Sequence, residues 1–155
     1  MVNIDYIMDL LDWNNSIEKQ EQGIALAKDV KCINVFLQPG CYKYGKNVWD
    51  NCAKILSERT DEELSPYLLE LMEWLQDLNW PGVFIIIERL KVFSGDLLLT
   101  PYVQIINRIK DRPENDNTWL DNLTILLDNT ELRERLDHSL FNFLKSRYNN
   151  VWNKC

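Results

Sequence analysis

Trp74-Leu75-Gln76-Asp77-Leu78-Asn79-Trp80-Pro81 reads as the end of one helix, a tight corner and the start of the next. Proline at position 81 pushes Trp80 out of the α region into extended backbone, so the first helix must stop by about Leu78. Proline also suits the first position of a helix, where its missing N–H has no partner to lose, and the spacing predicts a helix starting at Pro81. Asn79 suits the left-handed conformation that closes helices. Asp77 or Asn79 can supply side-chain oxygens to the free amides of the incoming helix. Gly82 permits a close backbone approach, and Trp74 and Trp80 are expected to wedge the two helices together.

Moving toward the C-terminus, Val83, Phe84, Ile85, Ile86, Ile87 and Leu90 leave almost no polar side before Glu88. A buried strand would fit that run, but Pro81 at its start and the Glu88-Arg89-Leu90-Lys91 continuation favour a helix that is apolar all round and therefore central. Toward the N-terminus, Leu68, Leu71, Met72 and Leu75 stripe one helical face behind a Ser65-Pro66 start signal. Thr100-Pro101 repeats that signal ahead of Tyr102, Ile105, Ile106 and Ile109. Asp116 or Asn117 caps a helix carrying Trp119, Leu120, Leu123, Leu126 and Leu127. Thr130 opens a last helix striped by Leu132, Leu136, Leu140, Phe143, Leu144 and Tyr148.

Before the elbow, Ile4, Ile7, Leu10 and Leu11 mark a first helix, and Ser16 caps a second that runs toward Val30 through the helix-weakening Gly23. Cys32 to Gln38 forms a short helix ended by Pro39-Gly40. Gly40 to Gly45 is a loop, and Val48, Trp49, Cys52, Ala53, Ile55 and Leu56 stripe the next helix. The expected fold is all-α. Helix pairs over Asn47–Asp77, Pro81–Asp111 and Asn117–Tyr148 would stack as a short HEAT-like α-α superhelix, with a compact helical bundle as the alternative. The chain reads as one domain over 1–155, with residues 1–45 as a looser N-terminal layer and 47–148 as the stacked pairs.

The Trp74–Pro81 segment resembles the Trp-Leu-Gln-Asp-Met-Asn-Trp-Pro signature of the bacterial domain of unknown function 5071 family. Leu78 stands where that signature commonly has Met, a nearly volume-conserving change. The similarity runs on to about Leu136, while the segment before Asn47 shows none. The resemblance implies an all-helical, HEAT-like domain and carries no activity with it.

Composition narrows the function classes. The 155 residues suffice for a substantial core without disulfides or metals. Five Gly and five Pro are too few for a turn-dense all-β fold, and six Trp point to anchors in cores or interfaces. A net charge of −7 and a pI near 4.7 disfavour nucleic acid and anionic membrane, which select for Lys and Arg clusters. The same charge suits docking onto a basic protein.

Val83 to Ile87 is far too short to span a bilayer, and Met1 to Asp9 lacks the basic region and cleavage site of a signal peptide. Cys32, Cys41, Cys52 and Cys155 then read as reduced thiols of a cytoplasmic protein, and sixteen Asn hint at a bacterial, AT-rich origin.

Catalysis finds little material. His138, the only histidine, reads as mid-helix with no nucleophile at motif spacing, so no enzyme is expected. The cysteines are too scattered for a zinc site, and no Gly-rich phosphate loop is present, so no metal and no cofactor are expected. Glu70 and Glu73 read as a solvated helix face, Tyr42 to Lys46 as a loop packing its tyrosines on the core, and Arg133, Arg135 and Arg147 as a mixed-charge surface. The candidate ligand- or partner-binding residues are Glu73, Gln76, Asp77 and Asn79 around the elbow.

The expected function is a non-enzymatic protein-interaction domain, an acidic adaptor or immunity-type protein meeting a basic partner protein. The alternative is a small-ligand binder or enzyme with a pocket beside the elbow.

Overall fold

Short polar caps divide the chain into helices before packing arranges them. Asn3 accepts from Tyr6 N–H and opens α1 (Ile4–Leu10), and Ser16 accepts from Lys19 N–H and opens α2 (Ile17–Ala27). A 3-10 turn at Ile33–Phe36 leads to α3 (Trp49–Ser57). Thr60 and Glu63 form a reciprocal capping box that starts α4 (Asp61–Leu64). After a 3-10 turn over Ser65–Tyr67 the chain re-enters α5 (Leu68–Glu73). The second half comprises α6 (Val83–Lys91), α7 (Gly95–Ile109), α8 (Thr118–Leu123), α9 (Thr130–Arg135) and α10 (His138–Trp152). A computed structural model describes residues 3–40, 43–113 and 117–153, and every regular element among them is helical. The fold is all-α.

Packing runs in two rows. α3 lies against α6, which lies against the 3-10 segment Thr124–Asp128; α5 lies against α7, which lies against α9. α1 and α2 pack on each other, and α2 and the Ile33–Phe36 turn cover α3. Gly23 sits where α1 crosses α2. A Cβ there would stand 2.9 Å from both Leu10 Cβ and Leu11 Cδ2, so the residue that weakens the helix is the one that lets the pair close. One apolar core runs from Ile7 through Phe36, Trp74 and Tyr102 to Leu144, joining the N-terminal layer to the rest.

Several expected helix boundaries move, each for a local reason. Ser65-Pro66 lies inside a continuing helical path, because Thr60 and Glu63 already satisfy the first amides five residues earlier. Pro101 sits within α7, whose start is Ser94, the acceptor for Leu97 N–H. The expected last helix is two: Leu136 is extended (φ −70°, ψ 142°), and Asp137 caps a new helix by accepting from Leu140 N–H. His138 is therefore in a first turn, not mid-helix. α6 is not buried all round as a central helix would be, since Phe84 is 56% exposed and only the face with Val83, Ile86, Ile87 and Leu90 is buried. Asp116, Cys41, Tyr42 and Cys155 lie outside the described residues.

Candidate functional site

The elbow is built from the tryptophans outward. Trp49 of α3 meets Trp74 edge-on at 6.1 Å between ring centroids and Trp80 at 5.5 Å, so one ring braces both sides of the corner. Trp74 is fully buried, and its indole N–H donates to the Pro81 carbonyl (2.8 Å), closing the corner across seven residues. Asp77 accepts from Asn79 N–H through Oδ1 (2.8 Å), and Trp80 N–H donates to the Asp77 carbonyl (3.1 Å).

The helix after the corner begins at Val83, two residues later than expected. Gly82 rather than Asn79 takes the left-handed conformation, at φ +83°. A Cβ on Gly82 would stand 2.7 Å from Ala53 Cβ and 2.9 Å from the Trp49 carbonyl oxygen, so α3 occupies the space any side chain would need.

The carbonyls freed where α5 ends are taken by α8: Trp119 Nε1–H donates to Met72 O (3.0 Å) and Asn122 Nδ2–H to Leu75 O (2.8 Å). Sequence reading passed over both residues as capping partners, because they lie more than forty positions downstream. Of the four candidate residues, Gln76 and Asn79 are exposed, while Glu73 and Asp77 are half-buried. The Asp77 side chain serves its own turn. Glu73 differs from the rest: burial first, then the neighbouring Glu70 carboxylate, raises its carboxyl above the ordinary glutamate value, and Arg108 offsets this only in part.

A groove lies beside α5, on the side facing the N-terminal layer. It is open, with a volume of about 1070 Å³, between α1, the Asn34–Leu37 strip, the residues Gly40, Lys43 and Tyr44, and the start of α5. Ile4, Val35 and Leu37 supply apolar lining, and Tyr44 and Tyr67 add rings. On one wall, Asp5 Oδ1 accepts from Tyr44 OH (2.7 Å) and Lys43 Nζ (2.9 Å). The Tyr44 hydrogen bond above all, and then Lys43, hold the Asp5 carboxyl below its usual value. On the facing wall stands Glu70, which makes no ion pair among the described residues.

Glu73 lies close behind Glu70. Its Oε2 is 3.9 Å from where a Cβ of the lining residue Gly40 would be. Glu73 is thus adjacent to the groove, whereas Gln76, Asp77 and Asn79 are not among its lining. Glu70, Asp5, Asn34 and Tyr44 went unremarked as a set because four separate stretches of chain bring them together. Their only sequence signal was the Tyr-Lys-Tyr loop and the paired glutamates, each explained singly.

Elsewhere the chemistry is sparse. His138 is exposed, and Asn142 Nδ2 lies 3.1 Å from its Nε2. Among the described residues no three His, Cys, Asp or Glu side chains converge as a metal cage. No helix among them is long and apolar enough to cross a membrane. Cys32 is an exposed free thiol and Cys52 is buried against Met8. Arg135 pairs with Asp96 (2.6 Å) and Arg147 with Asp121 (2.8 Å), giving the expected mixed-charge surface.

Fold and site together define an all-α helical domain with a self-satisfied tryptophan elbow and an open groove rimmed by carboxylates. The chain belongs to the family described as Domain of unknown function (DUF5071), whose model matches residues 46–147. No curated protein and no solved structure matches it. The elbow, α5 and Glu70 fall inside the matched stretch, whereas the opposite wall of the groove, from Asn3 to Tyr44, precedes it.

Proposed function

We propose that this chain is a non-enzymatic protein-interaction domain of the cytoplasm that engages a basic partner protein, in the manner of an adaptor or an immunity-type protein masking a cationic surface. The observation that carries this reading is the groove: open, at the upper end of small-ligand pocket volumes, apolar along much of its lining, and edged by carboxylates in a chain of net charge −7. Charge distribution supports it. Lys43, Arg59, Arg89, Lys91, Arg135 and Arg147 are engaged by the chain's own acids, which leaves the excess negative charge facing outward.

Such a surface steers and holds cationic partners by long-range attraction that salt screens within about 10 Å at 0.1 M. The immobilised chain is therefore expected to retain basic proteins at low ionic strength and release them at high. Partners that are acidic, or an affinity unchanged across that range, would overturn the reading. A gene for a basic toxin beside this one would favour the immunity form.

A second reading, a small-ligand binder or enzyme beside the elbow, draws on Glu73 alone, whose raised carboxyl suits proton transfer better than an ordinary surface acid does. Asp77→Ala discriminates at the elbow itself. Loss of melting temperature with unchanged binding would assign Asp77 to the turn it closes and remove it from any site.

A further inference from the structure

We infer that the groove beside α5 receives an arginine or lysine side chain carried on a short apolar segment of a partner protein, with Glu70 as its ion-pair acceptor and Glu73 behind it. The inference rests on the interaction reading above and gives it a place and a recognition chemistry.

The argument is an inventory of donors and acceptors around the groove. Two of its donors, Lys43 and Tyr44, are directed to Asp5, which sets the Lys43 charge against an acid of the same wall. Of the charged lining residues, Glu70 is the one left without an ion pair among the described residues. Glu73 reaches to within 3.9 Å of a Cβ position at lining residue Gly40. Asn34 carries an amide that serves either role, and Asn3, whose Oδ1 accepts from Tyr6 N–H, keeps its Nδ2 donor.

A group rich in donors and positively charged fits such a wall. A carboxylate or phosphate would face Glu70 and Glu73, while of the nearby cations Lys43 is already paired with Asp5 and Arg108 acts on Glu73. Tyr67 adds an aromatic ring of the kind that stacks on guanidinium or ammonium groups, as Lys43 Nζ already does over the Tyr44 ring at 5.3 Å. The apolar lining and the length of the groove exceed what one cationic head needs, so its carrier is a peptide segment with apolar neighbours rather than a free amine. Glu73 is the group that gains most. Its charge is now opposed by burial and by Glu70, and a cation seated between them would offset both.

The test is to pan a phage-displayed random peptide library against the full chain and measure selected peptides by fluorescence polarisation. Selected sequences are expected to carry Arg or Lys next to apolar residues. Their binding should weaken at least tenfold on Glu70→Gln, and stay unchanged on Glu21→Gln, which removes the same charge from an exposed site on α2 away from the groove. Citrulline in place of the peptide's arginine should abolish binding to the wild-type chain. Both positions are exposed, so melting curves are expected to show both variants folded.

Peptides without a basic residue, or equal weakening by the two variants, overturn the groove assignment. Salt-sensitive basic peptides indifferent to Glu70→Gln overturn the groove while leaving the interaction reading in place. Failure to select any salt-sensitive basic peptide overturns both.

Discussion

Glu73 carries a cost that its neighbours do not. Its folded carboxyl titrates above the ordinary value of 4.5, because burial and then Glu70 disfavour the charge. The native state therefore holds this proton more tightly than the unfolded chain does. The sign follows: stability attached to the proton is complete below about pH 4.5 and is lost as pH rises through the folded value. At neutral pH the ionised group is a standing penalty, reduced because solvent still reaches it. Glu73→Gln is expected to raise Tm by about 1–2 °C at pH 7, with the gain vanishing at pH 4. Thermal melts at the two pH values check this. A lower Tm at pH 7 would mean that the carboxylate is held by a cation after all. The contrast with Glu63 is instructive: there the Arg59 hydrogen bond, then the Thr60 backbone, pull the carboxyl below its usual value, so that acid contributes above its ordinary pKa and stops contributing as pH falls. Two glutamates ten positions apart thus act in opposite directions, and only one of them stands beside the groove.

Among the elements, the corners hold more information than the helices. Gly82 is fixed by φ +83° and by α3 lying under it. Gly82→Ala would force a left-handed alanine and drive its Cβ against Ala53 and the Trp49 carbonyl. A loss of about 3 kcal/mol is expected, roughly 6–12 °C in Tm, with the helical circular dichroism of the folded state unchanged. The junction between α6 and α9 depends equally on one residue. Asn129 is buried; its Nδ2 donates to Leu90 O (2.8 Å) and Phe93 O (2.9 Å), and its Oδ1 accepts from Leu132 N–H (3.0 Å). Asn129→Ala strands the Phe93 carbonyl and the Leu132 amide and leaves Leu90 O with Phe93 N–H alone, so it should cost about 2–4 kcal/mol by urea titration. A loss under about 1 kcal/mol would mean that water replaces the side chain.

These corners also mark where sequence reading stopped. The helical periods of Leu68 to Leu75 and Tyr102 to Ile109 were plain, and so was the close approach at Gly82. The exact starts were not, because Thr60, Ser94 and Asp137 compete with louder Ser-Pro and Thr-Pro signals and win through side-chain bonds to amides that no spacing rule ranks. The groove was harder still. Asp5, Asn34, Tyr44 and Glu70 have nothing in common along the chain and meet only through the packing of α1 and the 33–37 strip beside α5.

For the whole molecule, the question is whether the stretch matched by the family model stands alone. Residues 46–147 contain the elbow, the two packed rows and most of the core. Yet α3, which braces the elbow through Trp49, is covered on its other side by α2 and the Ile33–Phe36 turn. The ties are specific. Asn51 Nδ2 donates to Leu11 O (2.7 Å), Arg59 Nη2 donates to Ala27 O (2.7 Å) and Val30 O (2.9 Å), and Cys52 meets Met8 at 3.9 Å between sulfurs.

Removing residues 1–45 would expose that face of α3, leave Asn51 without its acceptors and leave Arg59 with Glu63 alone. Ile7, Leu11, Ile33 and Phe36 are each buried, and the loss of about 1.5–3 kcal/mol for each side chain approaches the whole net stability of a domain, about 5–15 kcal/mol. A chain beginning at Lys46 is accordingly expected to keep its helical far-ultraviolet signal, lose near-ultraviolet tryptophan dichroism and bind a hydrophobic dye, the behaviour of a collapsed but unpacked state. The same truncation removes the Asp5 wall of the groove, so basic peptides selected on the full chain should no longer bind. A truncated chain with a sharp, cooperative melt near that of the full protein would instead show that the N-terminal layer is an addition to a self-sufficient domain. Retained peptide binding by that folded fragment would move the interaction surface onto α5 to α10 alone.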